Sequence, residues 1–258
     1  MGYETVLIER KGYVGIVELN LPEQLNVFNT ALALDLNNAL EELDKDEEIR
    51  VVIVKGKGKA FSAGIDVKEL EGKTPHEVSQ WVGLMGKMSR TIANMKKPVI
   101  ASVQDLAIAN GIGLVAAADL AIAAEGARFG ATAVNIGLFC MGPAVPLSRH
   151  LSKKKTLELI LTGDIIDAAE AERIGLLNKV VPKEKLEEET MKLAEKIAAK
   201  SPLAVQIGKR SFYEMSDMPY EKAIEVANDH FALLCLTEDA HEGVDAFLNK
   251  RTPQWKKR

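Results

Sequence analysis

The sequence predicts an α/β body that ends in an all-helical tail. Three observations carry this. Short apolar or alternating runs recur as far as Val181, with helical segments between them, in the order ββα, βα, βα. From Pro182 onward every segment has helical spacing, and Pro182, Pro202 and Pro219 stand where helices can start. The chain has 258 residues, 47% of them hydrophobic, which is enough for a sizeable buried core and excludes whole-chain disorder.

Residues 6–9 and 14–19 alternate around Lys11-Gly12, the pattern of a hairpin. Residues 30–46 place Leu32, Leu36, Leu40 and Leu43 on one helical face, with Thr30 as the expected N-cap. Residues 51–54 are all apolar, as in a strand buried on both faces. A Gly/Lys turn at 55–59 leads to Ser62-Ala63-Gly64, and the pattern is helical from Asp66. Residues 75–95 read as one long helix, 98–103 as a strand, 120–123 as another and 176–181 as a further one. Residues 107–118 are rich in small side chains and open a helix. The expected tail helices are 183–200, 202–215, 219–236 and 238–249. The chain divides into an α/β core over 1–200 and a helical region over 201–258. No Gly/Ser/Pro linker separates them, so the tail is expected to pack on its own body or on a neighbouring subunit.

Charge and cysteines narrow the function classes. A net charge of −4 lacks the basic excess of a nucleic-acid binder. No apolar run reaches the length of a membrane helix, since Asp119 interrupts the longest candidate, 111–124. Cys140 and Cys235 form no CxxC pair or Cys/His cluster, so no metal site is expected. The N-terminus lacks a signal-peptide pattern, and a cytoplasmic location is the expectation.

Two small-residue segments join a strand to a helix start. One is Lys59-Ala60-Phe61-Ser62-Ala63-Gly64-Ile65-Asp66, the other Ala107-Ile108-Ala109-Asn110-Gly111-Ile112-Gly113. Free backbone N–H groups at such places attract negative charge, and two aimed at one point form an oxyanion hole. Small residues there also serve close helix–sheet packing, and either segment alone is compatible with that.

Together and in this order the segments resemble the crotonase superfamily, the enoyl-CoA hydratase/isomerase family. The resemblance extends through Leu161-Thr162-Gly163-Asp164, Glu170-Ala171, Gly175-Leu176, Val180-Val181-Pro182, Thr237-Glu238-Asp239 and Glu242-Gly243, and so covers nearly the whole chain. It implies the crotonase (ClpP/crotonase-like) spiral of ββα units, with a C-terminal helical trimerisation region giving a homotrimer or a hexamer of two trimers. It implies an acyl-CoA thioester as substrate, a place in fatty acid metabolism, and no tightly bound cofactor beyond the coenzyme A of the substrate. By position, the backbone N–H groups of Ile65 and Asn110 would form the oxyanion hole, Asn110 standing where the family usually has Gly. Gly64, Gly111, Gly113, Thr132, Ala133, Cys140 and Met141 would border the acyl group. Gln24, Leu25, Val27, Ala60, Ala63, Asp66, Phe231 and Lys250 would hold the CoA, the last two often from a neighbouring subunit. Asp66 also reads as a helix cap, and Cys140 as a small buried hydrophobe.

The family's hydratases use two glutamates. Their positions here are Gly113 and Ala133, and neither 106–118 nor 126–157 contains any Asp or Glu. An acid or base would have to come from elsewhere. The segment 71–85, with Glu71, His76, Glu77 and Trp81, is the place to look. Three functions follow as expectations. The first is an enoyl-CoA hydratase-type enzyme, on an unusual or cyclic acyl group. The second is a decarboxylase of a methylmalonyl-type CoA thioester, which needs an oxyanion hole but no strong base. Thr132-Ala133-Val134-Asn135-Ile136-Gly137 resembles that branch, with Ile65 in place of its His. The third is an acyl-CoA-binding protein with little chemistry.

Overall fold

A computed structural model describes residues 2–256. The chain opens with an antiparallel hairpin, β1 (Val6–Lys11) and β2 (Val14–Leu19), and then helix α1 (Thr30–Lys45). The N-cap of α1 is Asn29, not Thr30: the Asn29 side chain accepts from the Leu32 N–H (2.8 Å). Each following turn of chain contributes one strand to each of two sheets before its helices. The first has β3 (Val51–Gly56), β4 (Ala60–Ser62), α2 (Pro75–Met85) and α3 (Lys87–Asn94). The second has β5 (Val99–Val103), β6 (Leu106–Ile108) and α4 (Asn110–Ala117). The third has β7 (Leu120–Ala124), β8 (Arg128–Gly130) and α5 (Met141–His150). Then come α6 (Lys153–Thr162), β9 (Ile165–Asp167), α7 (Ala168–Arg173) and β10 (Lys179–Val181).

The first sheet runs β1-β2-β3-β5-β7-β10 and the second β4-β6-β8-β9. Strands β3, β5 and β7 are parallel neighbours, as are β4, β6 and β8, so the chain winds as a spiral of ββα turns. The strands are therefore shared between two sheets. The second sheet escapes sequence patterning because its strands are three residues long, too short to show a period of two. The run 51–54 is apolar throughout for the reason expected. Val52 and Val54 enter the main core with Leu32, Leu36 and Leu40, while Val51 and Ile53 pack under Ala194 and Ala198 of α8 (Leu186–Ala198).

The expected helix over 75–95 is two, broken at Gly86. The segment after Asp66 is a short 3-10 turn, Val67–Leu70, rather than a helix, and β10 begins only at Lys179. The tail is α9 (Pro202–Met215), α10 (Tyr220–Cys235) and α11 (Glu238–Leu248). Helix α9 docks on its own body. The buried Lys209 ammonium donates to Asp119 Oδ2 (2.7 Å) and to the carbonyls of Ile92 and Lys97 (2.9 Å each), and the Tyr213 hydroxyl donates to Asp119 Oδ1 (2.9 Å). Burial pushes the Lys209 pKa down, against the pull of the Asp119 carboxylate. Helices α10 and α11 and the turn between them leave Phe231, Leu236, Phe247 and Leu248 exposed.

Candidate active site

Two loops meet at one cavity. After β4 the chain turns at Gly64, whose φ of +99° is open to glycine. The Phe28 N–H donates to the Gly64 carbonyl (2.6 Å), and the Asp66 N–H donates to the Phe28 carbonyl (2.9 Å). These bonds use the groups on either side of Ile65, so the Ile65 N–H faces away from Phe28, and no acceptor among the described residues takes it. The second loop follows β6. The Ala109 N–H donates to the Gly130 carbonyl (2.9 Å), and Ala109 sits at φ 47° and ψ −114°. That conformation costs a non-glycine residue roughly 1–3 kcal/mol. It turns the chain into α4, whose first residue, Asn110, presents a helix-start N–H with no intrahelical acceptor.

The loops touch. A Cβ on Gly64 would lie 2.7 Å from the Ala109 Cβ and 3.7 Å from the Asn110 nitrogen. A Cβ on Gly111 would fall 2.4 Å from the Ser62 carbonyl oxygen. Gly64 and Gly111 thus do not line the cavity; they let its walls close up. Asn110 does not fill the space with its side chain either. Its Nδ2 donates to the Met85 carbonyl (3.0 Å), which ties the start of α4 to the end of α2.

The cavity has a volume of about 450 Å³. Of the residues singled out in the sequence, Ile65, Asn110, Gly113, Thr132, Ala133, Cys140 and Met141 line it, together with Ala63, which was expected beside the CoA. The sequence did not single out Val78, Val82 and Met85 of α2, Met88 of α3, Leu138 and Phe139 before α5, or Pro143 on α5. Amphipathic spacing on α2 was the signal for the first three. Among the described residues no Asp, Glu, His, Lys or Arg lines the cavity, and Cys140 is its one titratable wall residue. Burial pushes that thiol's pKa up, against an opposing hydrogen bond from the Ala133 backbone, so it stays a thiol at neutral pH.

The segment 71–85 supplies a wall but no base. Glu77 is spent on the α2 capping box, accepting from the Thr74 N–H (2.8 Å) and hydroxyl (2.7 Å). His76 is exposed beside Gln80, and Glu71 is exposed. Trp81 lines the cavity and donates its indole N–H to Glu69 Oε2 (2.6 Å). The space over Gly113 is occupied as well: a Cβ there would meet three Pro143 atoms at 3.0–3.3 Å.

Of the positions expected to hold CoA, Gln24, Leu25 and Val27 lie on the loop beside the Ile65 segment, where the Ala63 N–H donates to the Leu25 carbonyl (2.9 Å). Asn26, missed in the sequence, holds that loop from within. Fully buried, it accepts from the Leu21 N–H and donates to the Lys57 and Ala60 carbonyls, each at 2.9 Å. Ala60 is buried in β4, and Asp66 caps the following 3-10 turn through the Lys68 N–H (3.1 Å). Phe231, exposed on α10, and Lys250, after α11, do not line this cavity. Among the described residues no cluster of His, Cys, Asp and Glu could hold a metal ion.

The chain is similar to known proteins in both sequence and overall fold. The sequence profile of a family described as enoyl-CoA hydratase/isomerase matches residues 9–258. A probable enoyl-CoA hydratase of Rhizobium meliloti (strain 1021) is 37% identical, over 100% of both chains. A probable mitochondrial enoyl-CoA hydratase of Dictyostelium discoideum is 36% identical, over 97% of this chain and 90% of its own. The crystal structure of an enoyl-CoA hydratase from Mycobacterium smegmatis superposes with a TM-score of 0.95 at 36% identity, covering 98% of this chain and 99% of that one.

Proposed function

The chain belongs to the enoyl-CoA hydratase/isomerase family, and from that premise we propose that it acts on an acyl-CoA thioester through a backbone oxyanion hole. The observation that carries this is the pair of unpartnered N–H groups of Ile65 and Asn110 at one cavity. A thioester oxygen about 3 Å from both nitrogens would gain charge as the enolate forms, and each such donor is worth roughly 10²–10³ in kcat. The relatives' names favour a hydratase-type reaction. In that reaction the water oxygen bonds to the β-carbon as the C=C electron pair moves into an enolate held by the two N–H groups, and a proton from the same water passes to the α-carbon as the enolate collapses to the thioester. The hydroxyls of the otherwise apolar cavity are Thr132 and Ser89. Thr132, beside Ala133, is the group assigned to orient that water.

A second reading rests on the uncharged wall. Loss of carbon dioxide from a malonyl-type thioester produces the enolate directly, so a decarboxylase needs the oxyanion hole and no side-chain base. The reactions separate by product. Crotonyl-CoA, a longer enoyl-CoA, a cyclic enoyl-CoA and methylmalonyl-CoA are incubated with the protein and analysed by mass spectrometry. Gain of water supports the hydratase and loss of carbon dioxide the decarboxylase. Unchanged thioesters that bind measurably point to an acyl-CoA-binding protein, and an acyl group bound outside this cavity refutes the site.

Coenzyme A arrives with the substrate, and no tightly bound cofactor is assigned. The exposed apolar side chains of α10 and α11 support a homotrimer or a hexamer of two trimers, in which Phe231 and Lys250 would reach a neighbour's CoA. Among the described residues no helix is long and apolar enough to cross a membrane. A cytoplasmic location is the reading for this chain, while its Dictyostelium relative is named as mitochondrial.

A further inference from the structure

We propose that Glu69 is a positioning residue that holds Trp81 as a fixed wall of the cavity, and thereby sets which acyl groups the protein accepts. The proposal rests on the reading of this cavity as the acyl site. Glu69 lies on the 3-10 turn just beyond Ile65, Thr30 opens α1, and Trp81 is on α2. One carboxylate joins all three. The Thr30 N–H donates to both Glu69 oxygens (3.1 and 3.0 Å), the Thr30 hydroxyl to Oε2 (2.7 Å), and the Trp81 indole N–H to Oε2 (2.6 Å). The oxyanion loop and the far wall of the cavity are therefore braced against the same group.

Three physical points follow. Trp81 is 5% exposed, so its indole N–H needs an acceptor, and its neighbours on the wall, Val78, Val82 and Met85, have only apolar side chains. Without Glu69 the ring must turn to find one, and the largest side chain of the wall then moves. Thr30 orients Glu69 independently of Trp81, so the ring is held from a fixed point. Finally, Glu69 is not a proton carrier for the cavity. It does not line it, and although burial raises its pKa, the hydrogen bonds from Thr30 and Trp81 outweigh that and keep it ionised. Trp81 is the largest side chain that lines the cavity, so a longer acyl chain has more apolar surface to pack against it than a short one.

The test uses the full chain with Trp255→Phe as background, so that Trp81 is the sole tryptophan. Affinities for acetyl-CoA and octanoyl-CoA are measured by calorimetry, and Trp81 emission is recorded. The parent protein prefers octanoyl-CoA. Glu69→Ala shifts the emission to the red and cuts the octanoyl/acetyl affinity ratio about tenfold. Glu69→Gln, which keeps an oxygen for Trp81, holds the ratio within about twofold. Trp81→Phe lowers the ratio as Glu69→Ala does, and decides alone if Glu69→Ala fails to fold. An unchanged ratio in Trp81→Phe overturns the proposal. So does a folded Glu69→Ala that weakens both thioesters equally, or a Glu69→Gln as defective as the alanine. A parent protein that binds neither thioester refutes the acyl-site reading itself, a result distinct from an unchanged ratio.

Discussion

Replacing Gly64 with alanine probes the approach of the two loops that carry Ile65 and Asn110. Two costs arise, and they can be separated. The new residue must hold a φ of +99°, which costs an L-residue about 1–2 kcal/mol. Its Cβ must also sit 2.7 Å from the Ala109 Cβ, well inside contact distance, and overpacking of this kind costs about 1–3 kcal/mol. Gly64→Ala should therefore destabilise by roughly 2–5 kcal/mol. The loops relieve the contact by moving apart, and a misplacement near 1 Å costs about 10² in rate. Ala109→Gly removes the opposing methyl and the strain at φ 47°, so the double variant should recover the contact cost and keep the φ cost. The expected coupling is about 1–3 kcal/mol, read from urea unfolding of the four proteins, with kcat on the substrate found by product analysis as the second axis. Strict additivity, or a Gly64→Ala protein of unchanged stability and rate, would show that the loops do not meet as described.

Three other outcomes are expected. Asp119→Ala leaves Lys209 buried without its counter-charge and the Val99 N–H and Tyr213 hydroxyl without their acceptor; it should cost about 3–5 kcal/mol and expose α9 to limited proteolysis, and an unchanged denaturation midpoint contradicts the pinning of the tail. The Glu69 carboxyl has a lower pKa folded than unfolded, so the unfolded chain takes up the proton first as pH falls; its contribution is full above roughly pH 5 and fades through the lowered folded value, and Glu69→Gln should flatten that acid limb in a pH series of unfolding midpoints. Cys140, buried with a raised pKa, should react with a disulfide reagent at pH 8 over about 10²-fold more slowly than free cysteine in a Cys235→Ser background, and reaction at the rate of the free thiol argues against the closed wall.

What could be read from the sequence depended on element length and on what each residue faces. Strand β2 and helix α9 match their expected limits because each shows a full period of its pattern, and Pro202 marks the start of α9. The three-residue strands of the second sheet show no period, yet they deliver Ile65 and Asn110 to the cavity. The site was legible as motif and its frame was not. Gly64, Ile65, Asn110 and Gly113 stood out as small residues or their neighbours between strand and helix. Asn26 and Glu69 did not, because an isolated Asn or Glu reads as an ordinary exposed residue until its burial and partners are known. Helix α5 was unreadable for a related reason. Pro143 and Pro146 argue against a helix by propensity, but Pro143 lies in its first turn, where a missing N–H costs nothing.

Gly113 and Pro143 belong to one arrangement. Glycine on α4 leaves a dent in the helix surface, and Pro143 enters it, with ring atoms 3.0–3.1 Å from where a Cβ would stand. Pro143 thus takes the space that a side chain on residue 113 would need first. The same packing brings the first turn of α5, with Met141 and Gly142, to the cavity rim, and places Cys140 as the N-cap in its wall. Of the acidic residues between 66 and 77, Glu69 is committed to Thr30 and Trp81, Asp66 to its own turn and Glu77 to the start of α2, while Glu71 is exposed and does not line the cavity. What remains to act on a substrate is a pair of uncharged backbone donors in an apolar enclosure. There a developing oxyanion gains most from fixed dipoles, because little water competes for it. Such a site suits a thioester whose own carboxylate or attacking water moves the electrons and protons; in both proposed reactions the protein's share is to hold the enolate oxygen, with Thr132 orienting the water in the hydration.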